Sequence, residues 1–223
     1  MSFGVHFDLT ISPSEETRFI NKHTRFIRRI SNEYHRPVQE IVALVLIYYK
    51  FQCESKGNAK GMTKNQLREF LHNTLDLTDI DLLEFIASSL DATRNPTPIF
   101  PMERWVRSML LFFYGNTEDR IDHCFKVYDR YQEGRLSRNN MMSLMKNSLI
   151  VDEVEKEDSV RDFVDLLTKR LDWDHDGIVS REDFVNYVRH VPLGLETFGQ
   201  CLPNREAIRA FLSSFSPHVR NVK

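Results

Sequence analysis

Residues 172–183 read "DWDHDGIVSRED", with carboxylates at the first, third, fifth and twelfth places and a glycine at the sixth. Side chains at alternate positions of a tight loop converge on one centre, and the chemistry that needs such convergence is capture of a hard divalent cation by oxygen ligands. Asp172, Asp174 and Asp176 supply the first oxygens, and Gly177 permits the positive φ of a sharp turn. Ile178 offers its backbone carbonyl, Ser180 binds directly or through water, and Asp183 closes the shell. Aspartate in that last place is one methylene shorter than glutamate, so it must draw the loop inward or bind through one oxygen. The expectation is one calcium site of weak affinity, about 10⁻⁵ M or poorer, with magnesium as a competitor because it prefers six ligands. His175 at the fourth place and Glu182 at the eleventh are expected to face water.

Such a loop needs a helix on each side. Apolar residues recur with helical period through most of the chain and strict alternation is nearly absent, which predicts an all-α fold. Helices are expected over 14–35, 38–53, 63–74, 79–90, 102–113, 117–128, 138–149, 157–171, 181–190 and 204–214. Thr63, Thr117, Ser137 and Ser180 stand where N-caps belong. Phe163, Leu166, Leu167 and Leu171 lead into the acidic loop, and Phe184, Tyr187, Val188 and Val191 lead out. Ile121, Cys124, Phe125 and Tyr128, then Met141, Leu144 and Met145, repeat those offsets around the preceding loop. The arrangement recurs with a period of roughly forty residues. It matches the EF-hand at every liganding position of 172–183 except the last. An apolar face that no unit covers alone predicts pairing into two lobes, 38–114 and 117–191, flanked by an N-terminal extension (1–37) with its own helix and a C-terminal tail (192–223) with another.

The other three loops lack the chelating set. "DRYQEGRLSRNN" (129–140) keeps Asp129 and Gly134, but Tyr131 and Asn140 replace acids, and Arg130, Arg135 and Arg138 crowd the centre. "DATRNPTPIFPMERW" starts with Asp91, reaches its exit helix late and carries Pro96 and Pro98. "FQCESKGNAKGMTKNQ" is longer still, with Glu54 as its one acid. Loops that no longer chelate can still pair, so short antiparallel bridges are expected between Leu136 and Val179 and between Met62 and Phe100.

Thirty basic against thirty-two acidic side chains leave a net charge of −2, which argues against a protein that wraps nucleic acid. Three dispersed cysteines indicate a reducing compartment. The N-terminus "MSFGVHFDLT" has no signal-peptide pattern and no glycine for myristoylation, so a cytoplasmic protein without membrane anchor is expected. No nucleophile elbow, zinc-protease helix or phosphate cradle marks an enzyme. The segment 15–36 carries Phe19, Phe26, Ile27 and Ile30 on one side of a helix, together with Arg18, Lys22, Arg25, Arg28 and Arg29. Its apolar stripe either packs on the first lobe or meets a membrane, and its cations are candidates for an acidic partner such as a tubulin surface. Met141, Met142 and Met145 pose a similar choice between a target-helix surface and ordinary core.

"LDWDHDGIVSREDF", the tail "LETFGQCLP" at 195–203, and "MMSLMKNSLI" with "HCFKVYD" ahead of it resemble the calaxin family, ciliary EF-hand proteins related to the neuronal calcium sensors. The resemblance runs from about residue 38 to 212. It implies a calcium-responsive, non-enzymatic component of the ciliary or flagellar axoneme, associated with outer-arm dynein and its coiled-coil docking complex on doublet microtubules. Family members are expected to chelate in the units corresponding to 91–104 and 129–140, where this chain has lost its acids. The alternative is a soluble regulatory subunit of the calcineurin-B or neuronal-sensor kind.

Overall fold

The computed structural model describes residues 12–55, 61–91, 99–146 and 156–214. Pro96, Pro98, the end of the expected helix 138–149 and both chain ends lie outside the described residues. Ten α-helices are present among the described ones: α1 Pro13–Glu33, α2 Val38–Glu54, α3 Lys64–Leu75, α4 Ile80–Leu90, α5 Met102–Tyr114, α6 Thr117–Tyr128, α7 Arg138–Met145, α8 Lys156–Leu171, α9 Arg181–His190 and α10 Arg205–Ser213. Four two-residue strands, β1 Met62–Thr63, β2 Ile99–Phe100, β3 Arg135–Leu136 and β4 Val179–Ser180, complete the set. They pair antiparallel as β1–β2 and β3–β4, with Met62 opposite Phe100 and Leu136 opposite Val179, the two bridges expected from the sequence. No described helix is long and apolar enough to cross a membrane.

Local chemistry sets the helix starts. Ser12 and Glu15 close a capping box ahead of Pro13, which fits the first helical turn because it needs no N–H there. Thr63 and Gln66 do the same for α3, and the Ser137 hydroxyl accepts from the Asn140 amide at the start of α7. Helix α6 is capped by Asn116, whose side chain accepts from the Asp119 amide at 2.9 Å, and not by Thr117. Asparagine reaches the same amides and is a better cap than threonine.

Two compact units emerge: Met1–Asp76, Leu90–Tyr114 and Pro203–Lys223 make one, Leu77–Ser89 and Gly115–Leu202 the other. The expected lobe boundaries shift accordingly. Helix α4 falls almost wholly in the second unit, where Leu82, Leu83 and Ile86 are buried and the Arg130 guanidinium lies 3.6 Å from the centre of the Phe85 ring. The tail divides, with the 3-10 turn Pro192–Glu196 in the second unit and α10 in the first.

The core of the first unit forms around Trp105, fully buried, whose indole N–H donates to the Leu44 carbonyl at 2.9 Å. Phe70 meets Trp105 edge-on at 4.8 Å. Helix α10 adds Phe211 to this cluster, 5.5 Å from Phe70 and 5.3 Å from Phe113. Burial of such a ring is worth roughly 2–3 kcal/mol, and with Ile208 and Leu212 also buried it helps hold a nine-residue helix that could not persist alone. In the second unit Tyr128 is the pivot. It packs edge-on against Phe184 and Phe198, and its hydroxyl donates to the carbonyls of Leu195 and Gly199.

Candidate metal centre

The acidic loop leaves α8 at Leu171 and enters α9 through β4, so a helix and a strand bridge fix its two ends. Ligand oxygens of Asp172, Asp174 and Asp176 all lie within 4.8 Å of one another. Two oxygens held by one calcium at about 2.3–2.6 Å can stand no more than about 5 Å apart, so this spacing fits a single cation. The loop shapes itself around Asp172, which is buried: its Oδ1 accepts from the Asp176 amide at 3.1 Å and its Oδ2 from the Gly177 amide at 2.9 Å. Asp176 Oδ1 accepts from the Ile178 amide at 2.7 Å. His175 and Glu182 are exposed, as their loop positions require.

Asp183 stands apart from that cluster. Its Oδ1 accepts from the Trp173 amide at 3.1 Å, and its Oδ2 accepts from the Ser180 amide at 2.9 Å and from the Ser180 hydroxyl at 2.6 Å. The short side chain sits at the third position of α9 and completes a capping box with Ser180. Burial works to raise its pKa, but the hydrogen bonds from Ser180, Trp173 and Asp174 outweigh that and hold the carboxyl below its ordinary value. The pattern Ser-x-x-Asp at 180–183 is the sequence signal for this second role. Trp173, 47% exposed, stacks on His190 with ring centres 4.5 Å apart, a contact that sequence reasoning missed.

The preceding loop keeps part of the same backbone geometry with fewer acids. Asp129 Oδ1 and Oδ2 accept from the amides of Glu133 and Gly134 at 3.0 and 2.8 Å, the register used by Asp172. Positive φ recurs at the fourth and sixth places of both loops: Gln132 (55°) and Gly134 (72°), His175 (62°) and Gly177 (85°). At φ of 72° and 85° glycine carries no Cβ penalty, whereas a side chain at either sixth place would be strained. At the twelfth place Asn140 is buried and donates to the Tyr128 carbonyl at 2.5 Å, which ties the loop shut without a cation. Glu133, at the fifth place, turns to Arg135 at 3.3 Å.

In the first unit the place of a first ligand belongs to Asp91, and two cations of the protein occupy its surroundings. Lys64 Nζ lies 2.9 Å from Oδ2 and Arg104 Nη1 3.7 Å from Oδ1. These residues, both outside the expected set of site residues, supply positive charge where a metal would. The sequence signal was the lysine directly after the Thr63 cap, in a unit already read as non-chelating.

The remaining candidates separate cleanly. Met141 and Met145 are buried in the core of the second unit, so neither presents a surface to a partner; their spacing of four places both on the inner face of α7. Arg18, Arg25, Arg28 and Arg29 are all exposed on α1. The apolar stripe of that helix packs on α2, with Phe19 stacked on Tyr49 at 4.1 Å.

The family described as an EF-hand domain pair matches residues 118–189. Calaxin of Xenopus laevis is 30% identical over 196 residues, covering 86% of this chain and 92% of the frog protein. Calaxin of Danio rerio is 32% identical over 72% of this chain and 76% of its own length. Calaxin of Homo sapiens is 31% identical, covering 77% and 82%.

Proposed function

We propose, from the premise that this chain belongs to the calaxin family of EF-hand proteins, that it serves as a calcium-binding regulator on ciliary or flagellar axonemes, attached to outer-arm dynein or to its coiled-coil docking complex on the doublet microtubule. Regulation by binding, without catalysis, is the work of calaxins and EF-hand sensors. The observation that carries the reading is the convergence of the Asp172, Asp174 and Asp176 oxygens in a loop inside the matched EF-hand pair.

The cation is held by Asp172, Asp174 and Asp176, the Ile178 carbonyl, Ser180 and Asp183. A bound divalent ion neutralises carboxylates that otherwise repel one another. Asp183 has a cap to maintain and a short reach, which favours a shell of about six oxygens and so lets magnesium compete with calcium. The replacement of acids at 129–140 and the ion pairs around Asp91 support one site per chain.

A tagged chain recovered with dynein and docking-complex proteins from detergent-extracted axonemes supports the reading. Recovery solely from the soluble fraction, bound to an enzyme, would reverse it in favour of a calcineurin-B-like or neuronal-sensor-like regulatory subunit.

A further inference from the structure

Helix α1 has two faces that lie opposite each other. Glu16, Ile27, Ile30 and Ser31 form the buried one. At 3.6 residues per turn, Arg18, Lys22, Arg25 and Arg29, spaced by four, three and four, fall in line on the other side, and all four are exposed. The row is about 16 Å long at ~1.5 Å per residue, with Arg28 beside it. Neighbouring acids of the helix are otherwise engaged: Glu15 closes the Ser12 cap, and Glu33 receives the Arg107 guanidinium at 2.5 and 3.0 Å. Arg29 shares Glu103 at 3.0 Å, whereas Arg18, Lys22, Arg25 and Arg28 have no carboxylate partner among the described residues.

We propose that this row is a docking surface for an acidic polypeptide segment whose carboxylates match its spacing. In a chain of net charge −2, aligned exposed cations on one helix are a local excess that an acidic partner complements. Guanidinium forks pair with carboxylates in two-point geometry, which favours Asp- and Glu-rich chain over a diffuse negative surface. A membrane fits poorly, since interfacial helices sink an apolar face into lipid and here Ile27 and Ile30 are spent on the core. Single-stranded nucleic acid needs free aromatic platforms, but Phe19 is stacked on Tyr49 and Phe26 lies against the Arg29 guanidinium at 5.6 Å. The inference deepens the proposed function by naming the chemistry of its partner, and it stands on residues remote in sequence from the cation loop.

The test uses the purified full chain and a fluorescent oligoglutamate peptide, followed by anisotropy at low and physiological ionic strength. Saturable binding that weakens with salt is expected, and Arg18→Glu with Lys22→Glu and Arg25→Glu should reduce affinity by roughly tenfold or more. The same three positions changed to glutamine should give an intermediate loss, which keeps the test decisive if the reversed chain folds poorly. Helical circular dichroism and cation titration at 172–183 should match wild type. Failure of the peptide to bind, or binding indifferent to the substitutions, overturns the proposal. So does tighter, row-dependent binding to phosphatidylserine vesicles or to oligothymidine. Because no axonemal component enters the assay, its failure is distinct from failure of the axonemal reading.

Discussion

Lys64 holds its ammonium 2.9 Å from Oδ2 of Asp91, a carboxylate whose side chain is 1% exposed. The contact is ionic rather than an aligned hydrogen bond. A lysine from the exit helix of one loop thus balances the leading acid of the next.

Lys64→Met should therefore destabilise the protein by about 1–2 kcal/mol, less than the ~3–5 kcal/mol of a wholly buried pair because Lys64 is 38% exposed. Urea unfolding measures the loss. Adding Asp91→Asn should recover part of it, since Arg104, 3.7 Å from Oδ1, offsets the buried charge less closely than Lys64 did; an additive double variant would contradict the ion pair.

Asp183→Glu should tighten calcium binding by roughly tenfold while leaving magnesium nearly unchanged. Glutamate reaches the ion with two oxygens and still suits the third position of a capping box. Calorimetry should count one calcium per chain in both proteins and none in Asp172→Ala.

Cation binding should be visible in tryptophan emission. Trp173 is half-exposed, its amide donates to Asp183 and its ring rests on His190. Trp105 is sealed in the first unit and should stay silent. Trp173→Phe should abolish the response without changing the calorimetric stoichiometry.

Acid should weaken the fold through His123. Burial is the main cause that lowers its pKa from 6.5 to about 4, while its Nε2 sits 3.2 Å from the Cys201 carbonyl. The folded protein keeps the ring neutral and the unfolded chain protonates it first. Stability is then full above about pH 6.5 and falls as pH drops towards 4, by on the order of 3 kcal/mol from this group. His123→Gln should flatten that part of the profile in denaturant titrations at a series of pH values.

Much of this was legible in the chain. Period and spacing located the helices, and the offsets around each loop located Leu136 with Val179 and Met62 with Phe100. Side chains with two possible uses were less readable. Asp183 fits both a metal shell and a helix cap, and the cap's hydrogen bonds show only once the backbone is closed. Met141 and Met145 fit either a core or a target surface until α7 is oriented. The cation substitution at Asp91 joins Lys64 and Arg104 across 27 and 13 residues of sequence, beyond the reach of local pattern. Assignment of α4 to the second unit and of α10 to the first depends likewise on Phe85 and Phe211 finding distant partners.

The loop at 129–140 keeps the positive φ of its fourth and sixth places and the two amide bonds to its leading aspartate, as its neighbour does, while Tyr131 and Asn140 stand where ligands would. Scaffold and payload have come apart here: the mould is maintained by an aspartate, a glycine and an asparagine for its own sake, as half of a bridged pair. Ion capture could be regrafted by a handful of side-chain exchanges at Tyr131, Glu133 and Asn140, with no remodelling of the chain path.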